Sequence, residues 1–208
     1  MPLNFFGQVY ELAFEVSPIL LVDGIASNIP GGILPIAVIT EGLSIANGLL
    51  QGKIGANPST RFIPQPGTTL VQQDVAGINF YNQIAAANAV VSKPNRVVMQ
   101  MLRPVSTASL KGYGNKLMTF TALKMALDMH NQSGGTYTVL TPGFIYAGCL
   151  FKSMVDNSGL SGQNKQAQYS WLIEFEQPLL SISELDTRLG NLMSKFEAGI
   201  PSASSLPW

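Results

Sequence analysis

Charged residues are scarce in this sequence. Asp, Glu, Lys and Arg make up 12% of its 208 residues, against roughly 25% in an average soluble protein. A free monomer normally keeps a charged surface for solubility, whereas the centres of protein–protein interfaces are depleted of Lys, Glu and Asp. The shortage of charge therefore favours a subunit that is buried in a larger assembly. A small secreted or lumenal protein with an uncharged polar surface is the alternative.

Histidine and cysteine are nearly absent, with one residue of each, His130 and Cys149. A single histidine excludes a two-histidine metal site, and a single cysteine excludes an intramolecular disulfide. Cys149 lies in an apolar run, so we expect an inert, buried thiol. We expect His130 near a helix C-terminus, where a cation interacts favourably with the helix dipole. We predict no metal site and no cofactor.

Basic clusters and long apolar runs are also missing. Twelve Lys and Arg residues are spread along the chain and are balanced by twelve Asp and Glu, which argues against a nucleic-acid or anionic membrane partner. Residues 1–6 lack the basic leader of a signal peptide, so we expect synthesis in the cytoplasm. The most hydrophobic stretch, residues 17–40, is broken by Asp23 and by glycines and prolines. No apolar run approaches the ~18 residues of a membrane helix.

Only one pair of carboxylates merits consideration as a general acid and base. Glu174 and Glu176 lie two residues apart in a predicted strand, so they project from the same face. They alternate with Leu172, and we expect a wet or interfacial face there rather than a catalytic one. We therefore predict no catalytic residues, no small-molecule substrate and no enzyme activity, with an enzyme that uses Glu174 and Glu176 as the alternative.

Runs of apolar and β-branched residues predict strands. These runs are residues 19–22, 33–40, 68–71, 96–103, 136–141, 144–151 and 167–177. Pro142-Gly143 predicts a tight turn between the fifth and sixth runs. In the last run, period two places Tyr169, Trp171, Ile173 and Phe175 on one face. Residues 42–52 predict a short helix and residues 53–67 an exposed loop, whereas residues 79–91 are compatible with either a helix or a strand.

Two helices are predicted in the second half of the chain. In Tyr113–Asn131, one apolar stripe (Leu117, Phe120, Leu123, Leu127) lies beside a second (Met118, Ala122, Met125, Met129), and so wide an arc is typical of a buried helix. Ser181 and Glu184 have the spacing of a capping box and open a second helix, Ser183–Phe196. We predict an α+β fold, a β-sandwich or barrel-like sheet with one buried helix and a peripheral C-terminal helix.

The last part of the chain is predicted to act separately. Residues 1–180 are expected to form a single α+β structural domain, and residues 181–208 a C-terminal helix and tail that dock on a neighbouring subunit. Packing of this helix on its own domain is the alternative, because consecutive elements joined by short connections are usually in contact. Pro178 separates the helix from the preceding strand. The predicted interface residues are Leu185, Leu189, Leu192, Phe196 and Trp208.

A series of motifs runs through most of the sequence. It comprises Gly24-Ile25-Ala26, residues 29–36, Leu102-Arg103-Pro104, residues 117–127, residues 130–142, Ile145-Tyr146, residues 166–171 and residues 175–179. In this order the chain resembles the tail and baseplate proteins of contractile-tailed bacteriophages, and the Dit-like group in particular.

The resemblance implies an architectural role. It implies a ring- or sleeve-forming homo-oligomer of the virion, at the junction of tail tube, sheath and baseplate, assembled in the host cytoplasm. The implied partners are copies of the chain itself and the tube, sheath and hub proteins. A non-catalytic binding module, such as a carbohydrate-binding β-sandwich, is the alternative; it requires an exposed aromatic platform, whereas Trp171 is predicted to point inward.

Overall fold

The computed structural model describes residues 17–29, 31–41, 60–79, 85–103, 111–158 and 169–199. The strands of these residues are β1 (Ile19–Val22), β2 (Ile33–Pro35), β3 (Arg61–Pro64), β4 (Gln72–Asn79), β5 (Ala85–Lys93), β6 (Asn95–Arg103), β7 (Thr136–Leu140), β8 (Ile145–Asp156) and β9 (Tyr169–Gln177). The two long helices are α1 (Lys111–Gln132) and α2 (Ile182–Gly199). A short 3₁₀ helix covers Gly24–Asn28, and residues 36–41 are helical.

Seven of the strands form one sheet in the order β2-β1-β7-β8-β9-β6-β3, and each neighbouring pair is antiparallel. The 12-residue β8 pairs with β7 through its first half and with β9 through its second half. Its register shifts between Phe151 and Ser153, and such bulges bend a strand. The sheet is not closed into a barrel. The predicted α+β class with sandwich-like sheets is confirmed.

The main core lies between α1 and one face of this sheet. Phe120, Leu123 and Leu127 of α1 are buried there together with Ile19 and Leu21 of β1. Successive side chains of a strand point to opposite faces, so Leu20 lies on the other side of the sheet, in a smaller cluster with Ile33 and Leu192 of α2. The sheet is therefore covered by α1 on one face and, at the β1 end, by α2 on the other.

The second apolar stripe of α1 is exposed. Met125 and Met129 are 59% and 56% exposed, and Ala122 is exposed as well. The prediction that the helix is buried over a wide arc is wrong for this stripe, because the sheet contacts only the face that carries Phe120, Leu123 and Leu127. The side chains of Leu117 and Met118 lie outside the described residues.

Three further segments differ from their predicted structure. The run 33–40 is strand only to Pro35, and this strand, β2, lies at one end of the strand order of the sheet, where a proline without an N–H donor is tolerated. From Ile36 the chain is helical, because buried contacts outweigh the strand preference of a short apolar run. Residues 68–71 are not a strand, and the predicted loop 53–67 contains β3. Residues 42–59 lie outside the described part of the chain.

The remaining predicted elements are confirmed. The β7–β8 hairpin turns at residues 141–144, β6 and β9 occupy the predicted ranges, and α1 covers Tyr113–Asn131. The capping box that opens α2 is formed, since the Ser181 N–H donates to Glu184 Oε2 at 2.8 Å and the Glu184 N–H donates to Ser181 Oγ at 3.3 Å. Within the described residues, no helix is both long enough and apolar enough to cross a bilayer.

The two residues considered for metal or thiol chemistry are both buried. Cys149 is fully buried, and burial raises the pKa of its thiol to about 12. The prediction of an inert, buried thiol is confirmed. His130 is also fully buried, edge-on to Tyr137, with Nε2 at 3.0 Å from the Thr136 carbonyl oxygen. Burial lowers the pKa of His130, and the Thr136 hydrogen bond and the Asp23 charge offset this only in part. His130 lies in the last turn of α1, as predicted, but its lowered pKa favours the neutral imidazole over the cation expected there.

The burial of His130 predicts that stability falls in mild acid. The pKa of His130 is lower in the folded protein than in the unfolded chain, so the unfolded chain binds the proton more readily. The free energy of unfolding therefore decreases as the pH falls through the pKa of the unfolded chain. We expect a lower melting temperature at about pH 5.5 than at about pH 7.5, a window in which histidine is the side chain that titrates. His130→Gln should flatten this dependence; an unchanged slope in that variant would contradict the assignment.

Candidate assembly surfaces

The strands β4 and β5 form a two-stranded ribbon outside the main sheet. They pair with each other from Gln72↔Lys93 to Asn79↔Ala85, with a register shift at Ala76/Gly77, and with no other strand of the described residues. Eight residues of strand span about 26 Å. The base of the ribbon is fixed to the sheet, because the Thr69 N–H donates to the Arg96 carbonyl at 2.8 Å and Thr69 Oγ1 accepts from the Arg96 N–H at 2.7 Å.

Apolar side chains on this ribbon are exposed. Val75 and Val90 lie directly opposite one another and are 61% and 60% exposed, and Val91 lies on the other face at 55%. Leu70 and Val71, at the base, are exposed to 62% and 76%. Asp74 and Lys93 form an ion pair beside Val91. A two-stranded hairpin is marginally stable alone in water, and clustered exposed apolar residues mark interaction sites. The ribbon is therefore the best candidate for an assembly contact.

The glutamates considered as a catalytic pair belong to an ion-pair ladder across β6, β9 and β8. Arg96 Nε and Nη2 donate to the two Glu174 carboxylate oxygens at 2.9 and 3.1 Å. Lys152 Nζ lies 3.1 Å from Glu174 and 3.3 Å from Glu176. Partial burial acts to raise the pKa of Glu174, but the hydrogen bonds from Arg96 and Lys152 lower it overall. Glu174 is thus held ionised by two cations on the exposed face of the sheet.

The predicted interface residues of α2 are divided between the protein's own core and its surface. Leu192 is 6% exposed and packs beside Leu20 and Ile33, while Leu185 and Leu189 are half-buried. Ile182 and Met193 of the same helix are 81% and 61% exposed. The side chain of Phe196 and residue Trp208 lie outside the described part. The docking role of residues 181–208 stays a prediction.

The ribbon was the main feature missed in the sequence. Residues 79–91 are compatible with either a helix or a strand, because Ala85-Ala86-Ala87 also suits a helix. The β-branched pair Val90-Val91 favours a strand, and Lys93, which precedes Pro94, favours extended backbone. Among the described residues, no group of three or more His, Cys, Asp or Glu is placed to hold a metal ion.

Comparison with known proteins gives little similarity. No protein-family model and no curated protein matches the chain. Among solved structures, a chain in the structure of the phage P2 baseplate in its activated conformation with Ca is similar, at 17% sequence identity and a TM-score of 0.35. The similarity covers 57% of this chain and 36% of that chain. A phage baseplate structure is thus among those similar to this protein.

Proposed function

We propose that this protein is an architectural, non-catalytic subunit of a bacteriophage tail or baseplate, at the junction of tube, sheath and baseplate. The observation that carries the proposal is the β4–β5 ribbon, in which Val75 and Val90 are exposed and which pairs with no other strand of the described residues. The resemblance of the motif series to the Dit-like group and the scarcity of charged residues agree with it. The proposed neighbours are copies of the chain and the tube, sheath and hub proteins.

The energetics of the ribbon favour an arm that inserts into a neighbour. Full burial of a valine side chain is worth about 1.5–3 kcal/mol, so covering Val75, Val90 and Val91 yields a large part of a stable contact. Neither outer edge of the ribbon pairs with another strand of the described residues, so its backbone donors and acceptors can pair with a strand of another subunit. Formal net charge of zero leaves little long-range repulsion between copies.

The two alternatives, an enzyme that uses Glu174 and Glu176 and a carbohydrate-binding module, have less support. Glu174 is occupied by Arg96 and Lys152 in a salt-bridged ladder, an arrangement common in structural sheet faces, so it offers no free carboxylate for acid or base chemistry. A carbohydrate-binding platform requires exposed, flat aromatic rings, whereas Trp171 packs against Phe120 with ring centroids 4.2 Å apart. Both observations support the architectural role.

The proposal is tested by charging one face of the ribbon without breaking its strand pairing. In the double variant Val75→Lys, Val90→Glu the two new charges are directly opposite and attract each other, so the hairpin is retained. Lys and Glu are disfavoured at the centre of an interface. We expect the variant to keep its melting temperature within about 2 °C, to lose self-association by sedimentation velocity, and to fail to enter particles in a complementation assay.

A matched control places the same charges on the exposed stripe of α1. In Met125→Glu, Met129→Lys the glutamate precedes the lysine by four residues, which is the order that stabilises a helix. The double variant also removes two exposed apolar side chains. This control should assemble normally. Equal loss of assembly in both variants would remove the ribbon from its proposed role, and normal incorporation of the Val75→Lys, Val90→Glu variant would contradict the proposal itself.

A further inference from the structure

A pocket lined by both polar and apolar residues lies between α2 and the sheet, away from the ribbon. It has a volume of about 340 Å³, which is within the range of small-ligand sites. Thr136 and Thr138 of β7 and Gly148 of β8 form its floor, and Arg188, Asn191 and Lys195 of α2 form its wall. Leu192, buried beneath the helix, fixes the position of this wall against β1 and β2.

Arg188 crosses the pocket over a glycine that leaves room for it. Gly148 has φ +69°, and a Cβ at this position would overlap the Arg188 guanidinium. Any larger residue at position 148 would displace the arginine from the sheet. The guanidinium thus lies directly on the strand backbone, while the residue as a whole is exposed to solvent.

Arg188 supplies the net charge of the pocket. The other cation, Lys195, is neutralised by Asp23, with Nζ at 2.5 Å from Oδ1. Among the described residues, no carboxylate lies within ion-pair distance of Arg188. Glu184, one helical turn away, instead accepts hydrogen bonds from the Ser181 N–H and hydroxyl, both at 2.8 Å. The Arg188 guanidinium, which the Glu184 charge influences only from beyond ion-pair distance, therefore lines the cavity together with Thr136, Thr138 and Asn191.

We propose that this pocket binds a carboxylate group. The planar guanidinium presents two parallel N–H donors that match the two oxygens of a carboxylate, and the threonine hydroxyls and the Asn191 amide add neutral donors. A single net positive charge suits a monoanion better than a phosphate dianion. The carboxylate can belong to a free small acid or to an acidic side chain of a second copy of the chain; the chemistry is the same. The site does not depend on the ribbon or on the proposed architectural function.

The test is a titration of the full, ¹⁵N-labelled chain with sodium acetate, followed by NMR at the Gly148 amide and the Arg188 Nε–H. Sodium chloride at matched ionic strength provides the baseline. We expect saturable shifts with acetate, an affinity lower by about tenfold or more in Arg188→Gln, as expected for loss of a charged hydrogen-bonded pair, and a smaller loss in Arg188→Lys. Arg61→Gln, which removes an exposed arginine of β3, is the matched control and should bind as the wild type does.

Three results would overturn the proposal: acetate shifts that do not saturate, shifts that chloride reproduces, or unchanged affinity in Arg188→Gln. Tighter binding of sodium phosphate than of acetate, by more than about tenfold, a preference worth about 1.4 kcal/mol, would overturn the assigned ligand class. Sedimentation in the same acetate series distinguishes the two sources. Dissociation of oligomers by acetate but not by chloride identifies an acidic side chain of a second copy, whereas saturation without dissociation identifies a free carboxylate; both support the site.

Discussion

Trp171→Ala is expected to lower the free energy of unfolding by about 3–5 kcal/mol, the range for removing a large aromatic side chain from a core. The indole of β9 packs against Phe120 of α1 and joins the main core cluster. It is only half-buried, so the lower end of the range applies. For a domain of this size such a loss lowers the melting temperature by about 6–12 °C, which calorimetry or a circular dichroism melt will measure.

Trp171→Phe is the matched control for this result. The indole Nε1 is buried and has no hydrogen-bond partner among the described residues, so removing the N–H costs no hydrogen bond. The phenyl ring keeps the contact with Phe120, and we expect a loss of only about 1 kcal/mol. Equal losses in the alanine and phenylalanine variants, or a loss below about 1 kcal/mol in Trp171→Ala, would contradict the inward placement of this side chain.

The elements that the sequence predicted well are those whose periodicity is set by one contact surface. β9 alternates strictly, and the structure buries Ile173 and Phe175 on one face, while the side chains of Glu174 and Glu176 on the other face are 14% and 39% exposed. The turn Pro142-Gly143 lies between two apolar runs, so local turn chemistry and strand pattern agree. In both places the apolar pattern and the local backbone preferences of the residues indicate the same structure, and such agreement makes prediction from local sequence reliable.

The elements that were predicted wrongly depend on contacts that local pattern does not contain. Ile36 and Ala37 are buried in a helical segment, although the run they belong to has strand composition. In α1, Met125 and Met129 are apolar but face away from the sheet. An apolar stripe shows which residues can be buried, but the partner surface decides which of them are buried.

The candidate sites could not be predicted from the local sequence pattern either. Val75 and Val90 meet only through the pairing of two strands, and their exposure follows from the position of the ribbon outside the main sheet. Arg188 is an ordinary exposed arginine of a helix until it is placed over Gly148, 40 residues earlier. Such sites require the distance between elements, which the sequence does not give.

Arg103→Met is expected to be one of the two most destabilising changes in the protein. The Arg103 guanidinium, at the end of β6, lies 3.3 Å from Glu41 Oε1, and both side chains are almost completely buried. Its Nη1 also donates to Thr60 Oγ1 at 3.2 Å and to the Thr40 carbonyl oxygen at 3.3 Å. These contacts fix the helical residues 36–41 and the start of β3 to β6. Loss of one partner of a buried ion pair typically costs 3–5 kcal/mol.

The double variant Glu41→Leu, Arg103→Met separates the cost of an unpaired charge from the cost of lost packing. Replacing both charges with apolar groups of similar size is often nearly neutral, although the Thr60 hydroxyl, which donates to Glu41 Oε1 at 2.6 Å, loses its acceptor, at about 1–3 kcal/mol. We therefore expect the double variant to be more stable than Arg103→Met alone in urea unfolding. If the double variant is less stable than both single variants, the two side chains stabilise the fold through separate contacts, and the ion pair is not what joins residues 36–41 to β6.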